Sequence, residues 1–131
     1  MQYQDIIDKT MFLLLYLTIK SVNTDESKVV INRKELESGI LNIIKDDANA
    51  YAFLSNMFSY DDNYNHKVML EKEFDTLTEL SVLKKSVGTT VYKINLSDDE
   101  INSILSDPET TFEMLNSTIY VYQKISKVRS R

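Results

Sequence analysis

The stretch of this 131-residue chain whose residue types come nearest to site chemistry is Asp61-Asp62-Asn63-Tyr64-Asn65-His66. Asp-x-Asn-x-Asn opens a calcium loop, because oxygen side chains at alternate positions converge on one hard cation. Such a loop also requires glycine at its sixth position and a bidentate glutamate at its twelfth. Here those positions hold His66 and Lys72. The stretch therefore reads as a solvated, turn-forming loop. His66 is the only histidine and there is no cysteine, so multi-histidine and thiolate metal sites, disulfides and thiolate nucleophiles are all excluded. A lone histidine carries a pH-sensitive charge, but in a loop it needs no function. Two distant glycines, Gly39 and Gly88, make no phosphate-binding loop. The pairs Asp46-Asp47 and Asp98-Asp99 read as a loop and a helix start. No nucleophile stands beside a base. The expectation is a non-enzyme, with no catalytic residue, no metal and no cofactor.

Charge offers more than chemistry does. The net charge is −5, yet it is unevenly spread. Residues 67–80 carry Lys67 and Lys72 against Glu71, Glu73, Asp75 and Glu79, a balance of −2. Lys84, Lys85 and Lys93 follow closely, and Lys124, Lys127, Arg129 and Arg131 end the chain with no acid among them. The acids offer a surface to a basic protein partner, and the basic residues offer phosphate contacts. A basic tail also complements the dipole of a terminal helix without binding anything.

The elements that must present these charges follow from periodicity. At 43% hydrophobic and 27% charged, the chain is composed like one globular domain spanning 1–131. Met11–Leu17 is strongly apolar, but seven residues bounded by Asp8-Lys9 and Lys20 are too few to span a membrane. Residues 3–20 therefore predict a buried helix, and a cytoplasmic location is expected. Ser21–Lys28 is polar loop, and Val29-Val30-Ile31 a short strand. Asn32 caps a second helix bearing Leu36, Ile40, Leu41, Ile43 and Ile44, with Glu35 placed as in a capping box. Residues 48–58 predict a further short helix and 59–66 a tyrosine-bearing loop.

Leu70, Phe74, Leu77 and Leu80 repeat at helical spacing and are expected in the core. Val82-Leu83 then begins a strand, Ser86-Val87-Gly88-Thr89 supplies a turn, and Val91, Tyr92, Ile94 and Leu96 continue a second strand. Ser97, followed by Asp98-Asp99-Glu100, starts another helix. A last helix from about Pro108 to Val128 carries two apolar stripes, Phe112–Leu115–Ile119–Tyr122 and Met114–Thr118–Val121–Ile125–Val128. Two stripes need two partners: the first helix, and for the other a second copy, giving a homodimer. The fold class expected is α+β and mainly helical.

Helix, strand, helix, helix and a Gly-turned hairpin, in that order, resemble the winged-helix superfamily over about residues 3–105. An insertion occupies about 46–66, and a C-terminal helix at about 108–128 is extra. The resemblance is superfamily-level. It is also loosely similar to winged-helix accessory subunits of SMC- and ABC-type ATPase complexes. It implies two functions. One is a protein–protein adaptor or regulator using Glu71, Glu73, Asp75 and Glu79. The other is a dimeric DNA-binding regulator gripping phosphates through Lys84, Lys85, Lys93, Lys124, Lys127 and Arg129. For the second, a helix of negative charge faces a polyanion badly, and the chain has only three arginines. Alanine is confined to Ala48, Ala50 and Ala52, while Asn, Asp, Lys, Ile and Ser are abundant. That bias suits AT-rich coding sequence, as in low-GC bacteria or their phages.

Overall fold

A run as apolar as Phe12-Leu13-Leu14-Leu15-Tyr16-Leu17 has no stable place except inside, and it forms the spine on which the other elements pack. The computed structural model describes residues 3–24, 29–46, 68–108 and 112–129. The expected helix at 48–58 and the loop with Asp61, Asn63, Asn65 and His66 lie outside these. In chain order the elements are α1 (Tyr3–Val22), β1 (Val30–Asn32), α2 (Arg33–Asp46), α3 (Glu71–Glu79), β2 (Leu83–Lys85), β3 (Val91–Ile94), α4 (Asp98–Leu105) and α5 (Phe112–Arg129). The described chain is α+β and mainly helical, with a three-stranded antiparallel sheet of order β1-β3-β2.

Phe12, Leu13, Leu15, Tyr16, Leu17 and Ile19 of α1 are all buried. Thr18 is buried among them and is satisfied by donating to the Leu14 carbonyl at 2.8 Å. α1 packs against α3, α4 and α5, and Tyr16 meets Tyr122 edge-on at 5.8 Å. α5 lies on α2 as well as α1. Gly39 makes that crossing close: a Cβ there would stand 2.8 Å from both Cδ1 and Cγ1 of Ile125.

The sheet closes the other side of the core. In the register Ile31 faces Tyr92, and Leu83 faces Ile94. Directly opposed residues share a face, and all four are buried. Tyr92 packs on Phe74 of α3, with ring centroids 4.8 Å apart. Asn32 ends β1 and caps α2, accepting from the amides of Lys34 at 3.1 Å and Glu35 at 3.4 Å. Ser97 and Glu100 form a full capping box at the start of α4.

The sequence expectation for α3 needs three corrections. The helix begins at Glu71, with residues 68–70 leading in as non-helical chain, rather than at Lys67. Leu80, expected in the core, is 67% exposed. It is the C-cap, and the chain reverses at Ser81 with φ +65° before helical spacing can carry Leu80 inward. Ser81 N–H bonds the Thr78 carbonyl at 3.1 Å and Val82 N–H the Leu77 carbonyl at 2.9 Å, the two bonds of a Schellman motif. Glu73, expected on the outer face, is only 8% exposed. It lies three residues after Leu70 and four before Leu77, which puts it on their side of the helix. A smaller correction concerns Pro108, which sits in a turn after α4 rather than in the first turn of α5.

A left-handed conformation costs an L-residue about 1–2 kcal/mol, of which glycine recovers part after its larger loss of chain entropy. Ser81→Gly is therefore expected to stabilise the domain by about 0.5–1 kcal/mol. Calorimetry should show a higher Tm; an unchanged or lower one contradicts the motif.

Candidate functional site: an acidic helix packed on a basic hairpin

α3 contributes its outward stripe. Once Phe74, Leu77 and Glu73 face inward, Glu71, Asp75 and Glu79 are left at i, i+4 and i+8, all exposed, with Lys72 the one exposed cation among them. Three carboxylates one helical turn apart repel one another by a few tenths of a kcal/mol per pair. Glu71 recovers some of that at the positive end of the helix dipole. Met69 and Leu80, 55% and 67% exposed, bracket the stripe with apolar surface. The face is acidic along its middle and apolar at its ends.

The hairpin of β2 and β3, which packs on α3 through β2, supplies the opposite sign. Lys84 lies directly across from Lys93, and Val30 continues the row on β1. These three occupy the open face of the sheet; Lys84 and Lys93 are exposed and Val30 is 49% exposed. Like charges directly opposed on a sheet are destabilising. Lys85 is exposed too, but adjacent strand residues point to opposite faces. The structure therefore brings Lys84 and Lys93 together and turns Lys85 away. At the hairpin tip Gly88 has φ +76° and Val87 is 98% exposed.

The tail is a separate feature. Lys124 sits 5.5 Å over the Tyr120 ring, a cation–π contact. Lys127 and Arg129 fall in the last turn of α5, and their side chains, with Arg131, lie outside the described set. Of the two apolar stripes of α5, Met114, Thr118 and Val121 are buried. Leu115, Ile119 and Tyr122 of the other line an apolar groove of about 410 Å³ with Ile19 and Val22 of α1 and Leu105 of α4.

A polar cluster that the sequence did not announce joins α3 to the β2–β3 hairpin. Leu70, the N-cap of α3, makes no side-chain capping bond. Its backbone amide donates instead to Glu37 Oε2 of α2 at 2.7 Å. Glu37 also takes Arg33 Nη1, 3.1 Å from each of its oxygens. A carboxylate at a helix N-terminus satisfies an orphan donor and favours the dipole; here it comes from another helix. Burial alone would lower the Arg33 pKa, but Glu37, by charge and hydrogen bonding, outweighs it, aided by the Tyr92 hydroxyl and the charge of Glu71. The guanidinium is thereby held charged beyond its ordinary range. Arg33 Nε is buried with no hydrogen-bond partner, so Nη1 carries the bonds to Glu37. The only sequence signal was negative: Val68-Met69-Leu70 offers no capping residue where a helix must start.

Among the described residues, no three His, Cys, Asp or Glu side chains are grouped to hold a metal, and no helix is long and apolar enough to cross a membrane. The chain matches no protein-family model, no curated protein and no solved structure.

Proposed function

We propose that this chain is a winged-helix binding module, a non-enzymatic protein–protein adaptor or regulator that presents α3 to a basic surface of its partner. The winged-helix reading is supported by the element order, helix-strand-helix-helix-strand-strand, and by the sheet order β1-β3-β2, in which the first strand joins the later hairpin. The function rests on one observation: Glu71, Asp75 and Glu79 point outward together on the helix that a DNA-binding winged helix turns toward the groove. Three acids there oppose the phosphate attraction that supplies most non-specific affinity for DNA. They attract lysine and arginine, and the exposed Met69 and Leu80 add apolar contact at the ends. A bacterial or phage cytoplasm is the setting that composition favours.

A second reading, a regulator that binds DNA phosphates, has its own observation in Lys84 and Lys93. Their juxtaposition on the open face of the sheet is unfavourable in the free protein and is relieved by an anion between them. A homodimer through the apolar groove beside α5 suits either reading, and sedimentation velocity tests it directly.

One experiment separates the readings. Fluorescence anisotropy is read with a labelled lysine- and arginine-rich amphipathic peptide and, separately, with a labelled random-sequence duplex. We expect micromolar peptide binding that weakens with salt and falls at least about tenfold when Glu71, Asp75 and Glu79 become glutamine. We expect no DNA binding. Duplex binding that falls steeply between about 50 and 200 mM salt, and that vanishes in the Lys84→Glu/Lys93→Glu variant, transfers the function to the wing.

A further inference from the structure

Two of the surfaces described above, the acidic face of α3 and the basic face of the wing, are tied to the same three residues of α2 and its cap, Asn32, Arg33 and Glu37. Where the hairpin turn enters β3, the Arg33 amide donates to the Thr90 carbonyl at 2.9 Å, and the Thr90 hydroxyl donates to Asn32 Oδ1 at 2.9 Å. The same Asn32 oxygen holds the first turn of α2 through the Lys34 and Glu35 amides. Two residues along from Thr90, on β3, the Tyr92 hydroxyl favours the charged Arg33 guanidinium. That guanidinium is paired with Glu37, and Glu37 holds the first amide of α3. The pair is largely shielded, with side chains 17% and 14% exposed, so its hydrogen bonds are screened less than surface ones.

We propose that the Arg33–Glu37 pair is a coupling device that makes the wing and the start of α3 open and close as one unit. Thr90 and Tyr92 report the wing to Arg33, and Glu37 passes that restraint to Leu70. If α3 frays, Glu37 loses a donor, Arg33 loses its fixed counter-ion, and the start of β3 loses its anchor; loosening the wing runs the same chain backwards. α3 has no side-chain cap of its own to make it independent. A partner that rigidifies either surface therefore rigidifies the other. This is a property of the free chain and holds whichever reading of the function is right.

Native-state amide hydrogen exchange on the full chain tests it. Leu70 N–H reports α3, and Ser86 N–H, bonded across the hairpin to the Val91 carbonyl at 3.0 Å, reports the wing. Thr90→Val removes one hydroxyl at the start of β3 and keeps the shape. A single hydrogen bond changes an opening equilibrium by roughly fivefold to tenfold. We expect Thr90→Val to speed exchange at both Ser86 and Leu70 by that factor. In a Glu37→Gln background, where the ion pair is gone, the same change should speed Ser86 alone. If Leu70 is unmoved by Thr90→Val in the natural background, the elements open independently and the proposal fails. It fails equally if Leu70 responds by the same factor in both backgrounds, since the coupling then bypasses the pair. Should Thr90→Val not fold, Tyr92→Phe, which removes only the hydroxyl that faces Arg33, takes its place with the same expectations.

Discussion

Gly39→Val is expected to cost about 3 kcal/mol of folding stability, a large share of the roughly 5–15 kcal/mol that holds a domain together. In an exposed helix the argument would run the other way. Glycine in a helix interior is about 1 kcal/mol less favourable than alanine, so replacing it would help. At this position the neighbouring helix decides. The hydrogen on the Gly39 Cα faces Ile125, whose Cδ1 and Cγ1 both lie 2.8 Å from where a Cβ would stand. Rotating Cδ1 away is not enough, because Cγ1 moves only with χ1, and a β-branched side chain in a helix has one strongly preferred χ1. α5 must then shift away from α2, loosening contacts along its buried residues Met114 and Val121. Gly39→Ala is the finer probe. It gains about 1 kcal/mol of helix propensity against an overpacking cost of about 1–3 kcal/mol, a net loss. Ile125→Ala removes both offending carbons, so in that background Gly39→Ala should turn from destabilising to stabilising. Urea denaturation of the four chains reads the cycle. Additive effects would mean that the helices do not approach as closely as described.

That glycine also marks the limit of what the sequence could convey. The spacing of Leu36 and Ile40, or of Leu70, Phe74 and Leu77, announces which side of each helix is buried, because burial follows the 3.6-residue period. The hairpin is equally legible, since Gly88 sits between two β-rich runs and takes the positive φ that the turn requires. Gly39 has no local reason to be glycine, because its reason is Ile125, eighty-six positions away in the chain. Glu73 and Leu80 misled in opposite directions. Each was sorted by residue type, but helix phase buries the acid, and a Schellman stop exposes the leucine. The cap that Glu37 lends to α3 was out of reach for the same reason as Gly39, because the accepting carboxylate is 33 residues away. Charge pattern fared better: Glu71, Asp75 and Glu79 do share one exposed stripe, whereas the trio of wing lysines divides by strand alternation into Lys84 with Lys93, and Lys85 apart.

Reversing the acidic stripe should create DNA binding that the natural chain is expected to lack. In Glu71→Lys/Asp75→Lys/Glu79→Lys the charge changes by six units, taking residues 67–80 from −2 to +4 and the whole chain from −5 to +1. All three positions are exposed, so burial is unchanged. The main structural cost is a lysine near the N-terminus of α3, about 0.3–1 kcal/mol against the helix dipole, and circular dichroism should show the fold retained. If α3 faces outward as in a groove-reading helix, three new cations add about three phosphate contacts beside Lys84 and Lys93. Each contact contributes about −0.9 to the slope of log affinity against log salt, so the added contacts alone weaken binding roughly 40-fold between 50 and 200 mM. Anisotropy with a random duplex should therefore show binding by the variant at low salt, losing at least that factor over the range, and none by the natural chain. Equal binding by both would mean that the wing, and not α3, meets the DNA, and the acidic stripe would lose its role as the feature that selects a protein partner. Binding by neither would mean that α3 cannot approach a duplex at all, which points to Met69 and Leu80, rather than the charges between them, as the core of the partner surface.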